Sequence, residues 1–215
     1  MAAGESKRAG SGKNKIYRTI KTESVLKRSV RPFIENDKFE RICIVIAKGE
    51  EEAVSRALAD FRKSQKIQFA EGGKTRQESV YAGLQELSEE APDSVLIHDA
   101  ARPWVTEYII EAVLEAVDKF GACAPVITAP DALKIVNTQG FITGHLLRSE
   151  TVAAQTPQGF RFTSILEAHQ KASNDGIPYI DDTEIYSTYI GKVFTVAGDP
   201  VNRKITYIHD IEPYE

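Results

Sequence analysis

A chain of 215 residues with 42% hydrophobic content can bury one sizeable core, and no shift in composition marks a second domain. Its formal charge of -4 and pI near 5.7 argue against a nucleic-acid or anionic-membrane partner, so any phosphate binding must come from a local basic cluster. No apolar run reaches the length of a membrane span, and Cys43 and Cys123 sit in apolar runs without metal-ligand spacing, which points to buried thiols in a reducing, cytoplasmic setting.

Residues 1–17 mix Gly, Ser and Ala with Lys and Arg, a composition that does not bury enough surface to order itself. The string Gly10-Ser11-Gly12-Lys13 is not a P-loop: Lys7 stands where the first glycine is required, and Asn14 follows the lysine. An amphipathic helix is predicted over 23–33, followed by the apolar run Arg41-Ile42-Cys43-Ile44-Val45-Ile46-Ala47, as a strand covered on both faces requires. A helix over 50–63 leads to a strand over 66–70, after which Gly72-Gly73 allows a close backbone approach and a helix opens near Thr75. The same grammar recurs in a strand over 94–98 that ends on Asp99 and Arg102, with Pro103 and Thr106 preparing a helix over 106–120 and a strand over 122–127 behind it.

This alternation predicts a single α/β domain over 1–215 with a doubly wound, mainly parallel, right-handed sheet. Ligands of such sheets bind outside the carboxyl ends of the strands, which singles out Gly72-Gly73 and Asp99. The rhythm breaks at Pro130, and residues 131–154 read as a protruding β-arm with a turn at Asn137-Thr138-Gln139-Gly140. Beyond it a helix is predicted over 163–172, another opening at Asp181-Asp182, and a strand over 192–196.

Taken together, Ala2-Ala3-Gly4 with Arg8 and Lys15, Gly72-Gly73 with Arg76 and Ser79, His98-Asp99-Ala100-Ala101-Arg102-Pro103, Thr156-Pro157-Gln158, Asp181-Asp182, and Asn202 with Lys204-Ile205-Thr206 span nearly the whole chain. In this order they resemble the 2-C-methyl-D-erythritol 4-phosphate cytidylyltransferases, nucleotidyltransferases of Rossmann-like fold. The resemblance implies transfer of a cytidylyl group from CTP to 2-C-methyl-D-erythritol 4-phosphate, with Mg²⁺ as cofactor and pyrophosphate as the second product. It assigns the triphosphate to the backbone of Ala2, Ala3 and Gly4, catalysis to Arg8, Lys15 and Lys204, and Mg²⁺ and substrate contacts to Asp99, with Ala100 beside it in the nucleotide set. Cytosine selection falls to Gly72, Gly73, Arg76 and Ser79. The alditol phosphate is met by Arg102, whose alternative role is to pair with a neighbouring carboxylate, and, at the base of the arm, by Arg148 and Thr156 across a homodimer interface.

The motifs depart from the family at Asn14-Lys15-Ile16-Tyr17, where Pro-Lys-Gln-Phe is usual, and at Ala9, where Met is usual. Two alternatives share the nucleotide motifs: a cytidylyltransferase for ribitol 5-phosphate or another alditol phosphate, and a nucleotide-binding homologue without catalysis. In the family an apolar strand runs into the Ala-Ala-Gly loop. Met1 occupies the position before Ala2 here, so that first strand is expected upstream of this sequence.

Overall fold

The computed structural model describes residues 1–4, 14–61 and 63–211. A 3-10 turn at Lys15–Tyr17 leads into a minimal hairpin of β1 (Thr19–Ile20) and β2 (Glu23–Ser24). The Ser24 hydroxyl then accepts from Lys27 N and starts α1 (Val25–Ile34), so Glu23 lies in a strand instead of the predicted helix. The next unit places β3 (Ile42–Ile46) parallel to β4 (Ile67–Glu71). Between them α2 (Glu51–Ala57) stops short of the predicted end at residue 63 and tightens into a 3-10 turn at Ala59–Phe61.

Side-chain caps set the later helices. Thr75 accepts from Glu78 N at the start of α3 (Arg76–Glu86), which leads to β5 (Ser94–Ile97). Thr106 does the same for α4 (Glu107–Phe120), and Gly121, at a φ of 83°, ends that helix in the left-handed conformation glycine tolerates. After β6 (Ala122–Thr128), the arm is a hairpin of β7 (Lys134–Val136) and β8 (Ile142–His145), and β9 (Val152–Ala154) returns along β6. Then come β10 (Gln158–Arg161), α5 (Phe162–Asp175), α6 (Asp182–Tyr189) under an Asp181 cap, and β11 (Phe194–Ala197).

The larger sheet has the order β11-β6-β10-β5, with β9 on β6. It is mixed, not mainly parallel. Because β9 comes back from the arm against β6, β10 continues in that direction and runs antiparallel to both β6 and β5, while β11 is parallel to β6. The double winding holds, as neighbouring residues of β10 demonstrate. Phe160 is buried with Val80, Leu84, Ile165 and Ile185 from α3, α5 and α6, whereas a Cβ on Gly159 would lie 2.6 Å from Val113 and Val117 of α4. Strands β3 and β4 form a separate pair joined to β5 at one end through Met1 and Ala2. Among the described residues, no helix is long and apolar enough to cross a membrane.

Candidate active site

Asp99 follows the carboxyl end of β5 and is only 8% exposed. Its Oδ2 lies 2.8 Å from Lys204 Nζ and 3.7 Å from Arg102 Nε. Burial alone would raise this carboxyl's pKa, but the Lys204 ammonium and Arg76 guanidinium outweigh it and hold the group below the usual carboxylate range. Asp99 is therefore ionised in a setting of three cations. Arg102 donates through Nη1 to the Asn202 carbonyl at 2.7 Å, while its buried Nε has no hydrogen-bond acceptor among the described residues. A donor desolvated in this way is costly unless an incoming anion satisfies it.

A relay fixes the backbone on which Asp99 stands. Thr156 Oγ1 accepts from Asp99 N at 3.1 Å and, with its proton, meets His98 Nδ1 at 3.0 Å, while His98 Nε2 donates to the Arg102 carbonyl at 3.2 Å. This pattern needs a neutral imidazole, and burial pushes the His98 pKa down to about 3 despite the opposing pull of Asp99. His98 is a packed, hydrogen-bonded residue. Asn202, fully buried, ties the loop that carries Lys204 to the Thr156 carbonyl at 2.9 Å, and Gln155 holds the same loop through the Asp199 carbonyl at 2.8 Å.

The Gly72 end is adjacent. Ala2 N donates to Val45 O at 2.8 Å and Ala100 N donates to Met1 O at 3.0 Å, so the chain start lies between β3 and the Asp99 segment. A Cβ on Gly72 would sit 2.5 Å from Ala3 Cβ and 2.9 Å from Ser79 Oγ, which brings Ala3, Gly72 and Ser79 into one corner. Ser79 is buried there with its hydroxyl donating to the Thr75 carbonyl at 2.8 Å. Gly73 is exposed and presses on Glu78. Arg76 is held from behind: its Nη2 is 2.6 Å from Asp182 Oδ2, and the other Asp182 oxygen meets buried His169 at 3.1 Å.

Over residues 1–215 the chain matches the IspD family model, 2-C-methyl-D-erythritol 4-phosphate cytidylyltransferase. It belongs to that family. It is 40% identical over 211 residues to the bifunctional enzyme IspD/IspF of Nitrobacter hamburgensis, a match covering 98% of this chain and 52% of that protein. It is 36% identical to the 2-C-methyl-D-erythritol 4-phosphate cytidylyltransferase of Clostridium beijerinckii, covering 98% and 92% respectively. The crystal structure of 4-diphosphocytidyl-2C-methyl-D-erythritol synthase from Anaerococcus prevotii superposes with a TM-score of 0.85 at 26% identity, covering 96% of this chain and 91% of that one. The chain thus spans about half the length of the bifunctional curated relatives it matches.

Within this IspD-family chain the sequence-predicted residues do not all meet. Asp99, Ala100, Arg102, Thr156 and Lys204 meet at the end of β5, and Ala2, Ala3, Gly72, Ser79 and Arg76 gather beside them. The Gly4 carbonyl accepts from Asn14 at 3.2 Å, next in the chain to half-buried Lys15, and Arg8 lies outside the described residues. Arg148 stands apart in the arm, exposed, with its guanidinium donating to the Pro130 carbonyl at 2.9 Å. Among the described residues no hydrogen bond or ion pair joins it to Asp99. Sequence reasoning missed Ser29, whose buried hydroxyl donates to the Ala100 carbonyl at 2.8 Å, as well as Gln155 and His169. Their only signal is a polar residue within an apolar pattern.

Proposed function

We propose that the chain transfers a cytidylyl group from CTP to 2-C-methyl-D-erythritol 4-phosphate. A phosphate oxygen of the alditol phosphate attacks the α-phosphorus, the bond from that phosphorus to the bridging oxygen breaks, and pyrophosphate leaves. Both reactants are anions, so the protein's task is to hold them together and to stabilise charge on the α-phosphate and leaving group. The observation that carries this reading is the cluster of Arg76, Arg102 and Lys204 around an ionised Asp99, with one Arg102 donor lacking an acceptor. Lys204, 40% exposed at its side chain, is free to turn from Asp99 to a phosphate, and Arg8 and Lys15 would meet the triphosphate from the chain start. Ala3, Gly72 and Ser79 meet in one corner, and the exposed Gly73 beside them would offer its backbone to a flat base.

Mg²⁺ suits this donor set. Among the described residues no group of three or more His, Cys, Asp or Glu is placed to cage a metal, but Mg²⁺ commonly takes one or two carboxylates and completes its shell with water and substrate phosphates. Asp99 would be that carboxylate, and bound Mg²⁺ would offset phosphate charge during transfer. We also assign a homodimer formed through the arm, supported by the exposed Ile135, Val136, Phe141 and Leu147 on a hairpin whose strands, among the described residues, pair only with each other. In that dimer Arg148 would reach the partner's alditol phosphate. A reducing, cytoplasmic location accords with Cys43 and Cys123, both free, whose thiols burial pushes up to about 11.

Pyrophosphate release measured across CTP, UTP and ATP, each with 2-C-methyl-D-erythritol 4-phosphate or ribitol 5-phosphate, tests the reading. The expected outcome is turnover with CTP and the methylerythritol phosphate. A preference for UTP or ATP, for ribitol 5-phosphate, or CTP binding without turnover overturns it.

A further inference from the structure

His169 is titratable, almost fully buried and not used by the proposed reaction. It lies on the face of α5 that also buries Ile165, Ala168 and Ala172, where the apolar pattern calls for a hydrocarbon side chain. The Tyr81 ring of α3 stacks against it, with centroids 6.3 Å apart and planes 11° from parallel. Its buried Nδ1 has no hydrogen-bond partner among the described residues, an arrangement that costs stability. Packing does not require that cost. Gln77 already fastens α3 to its neighbours, donating to the Ala172 carbonyl at 3.3 Å and accepting from Tyr179 N at 3.2 Å, while Val80, Leu84, Ala168, Ala172 and Ile185 are buried together.

The polar work of His169 is done at Nε2, 3.1 Å from Asp182 Oδ1. An ionised carboxylate only accepts, so Nε2 is the donor. Burial alone would raise the Asp182 pKa, but Arg76 and the His169 bond outweigh it and hold the group below the usual carboxylate range. The second oxygen, Oδ2, meets Arg76 Nη2 at 2.6 Å. A carboxylate held at one oxygen can turn about its Cβ–Cγ bond, a torsion with broad minima, and carry its partner with it. A donor at each oxygen fixes the plane. Arg76 opens α3 just after Gly72-Gly73, is 31% exposed at its side chain, and is near enough to Asp99 to lower that carboxyl's pKa.

We propose that His169 is a positioning residue for nucleotide binding: by fixing the Asp182 carboxylate it aims the Arg76 guanidinium at CTP. The chain of contacts runs from α5 through α6 to α3, and its far end is the only part that meets the ligand. The inference rests on the cytidylyl-transfer reading for the identity of the nucleotide.

The test measures CTP binding by calorimetry, with Mg²⁺ present, to the full chain and to its His169→Leu and His169→Gln variants. Leucine keeps much of the volume and removes the donor, whereas the glutamine amide restores a donor near the Nε2 position. The CTP dissociation constant should rise about tenfold in His169→Leu and return to within about threefold of the parent in His169→Gln. In an Arg76→Ala background, adding His169→Leu should weaken binding no further, because the effect runs through Arg76. Unchanged binding in His169→Leu would overturn the assignment. So would equal losses in the leucine and glutamine variants, or a loss repeated in full without Arg76, since either result makes His169 a packing residue. If His169→Leu fails to fold, His169→Asn takes its place against His169→Gln, its amide being one methylene too short to reach Oδ1. A parent chain that does not bind CTP overturns the nucleotide reading itself, whereas one that binds CTP without releasing pyrophosphate overturns only the reaction.

Discussion

At the end of β5 the buried residues are polar: Asp99, Thr156 and Asn202 are each below 9% exposed. Along the arm the exposed residues are apolar, with Phe141 at 67% and Leu147 at 64%. Both regions reverse the usual sorting of side chains, and each reversal is informative in its own way. Burying polar groups is tolerable when each is held by a hydrogen bond, and the Asp99, Thr156, His98 and Asn202 contacts supply those bonds while fixing the positions of the cations. Exposing apolar groups is tolerable when something covers them in the working state, which is the argument for a partner on the arm. The first region is held by bonds within one chain, whereas the second leaves its apolar side chains uncovered there.

The largest expected effect tests whether the strand-end cations act on the reaction. Lys204→Ala should lower kcat by on the order of a hundredfold or more, the usual scale for losing one preorganised donor, with a smaller change in CTP affinity. Unchanged turnover would make Lys204 a structural counter-ion of Asp99 only.

A pH series sharpens the claim that the buried relay is structural. The folded-state pKa of His98 is depressed to about 3, so its stability contribution is fully present above the unfolded value near 6.5 and is lost as pH falls from there towards 3. Asp99 and Asp182, also depressed, act in the same direction once the pH passes below the ordinary carboxylate range. Unfolding free energies from urea titrations should therefore fall below about pH 6.5 with a slope approaching about 1.4 kcal/mol per pH unit from His98. His98→Gln, able to donate to Arg102 and accept from Thr156, should flatten that slope between about pH 6.5 and 4.5. An equal slope in the variant would remove His98 as its source.

The smallest effect on folding is expected at the arm. Phe141→Ser alters an exposed side chain, so the melt should stay within about 0.5 kcal/mol of the parent. Sedimentation should nonetheless shift from dimer to monomer. A monomeric parent chain, or a dimer that survives the change, would remove the argument that a second copy covers the arm.

Much of this molecule was legible because the signals are local. Thr75, Thr106 and Asp181 each accept from a backbone N–H three residues on, and Gly121 closes α4, so helix starts and ends are written within a few positions. The Gly72 corner and the Asp99 strand end stood out for the same reason, as strand-to-helix junctions. Less legible were the reach of α2 and the direction of β10. The second depends on the chain returning from the arm along β6, which no local spacing encodes.

By itself, then, the sequence determined the alternation of strands and helices, the family, and the residue types at the strand ends, since caps, periodicity and motif order are short-range properties. Tertiary structure decided which of those residues meet. Thr156 reaches Asp99 across 57 positions, and Arg76 is clamped by Asp182 across 106. A cavity lined by Ile42, Cys43 and Ile44 of β3 and by Val95 and Leu96 of β5 belongs to the same class, because its walls come from elements far apart in the chain. The physical reason is common to all three: burial, pKa and the fate of an unpaired backbone group depend on neighbours in space, which folding alone brings together.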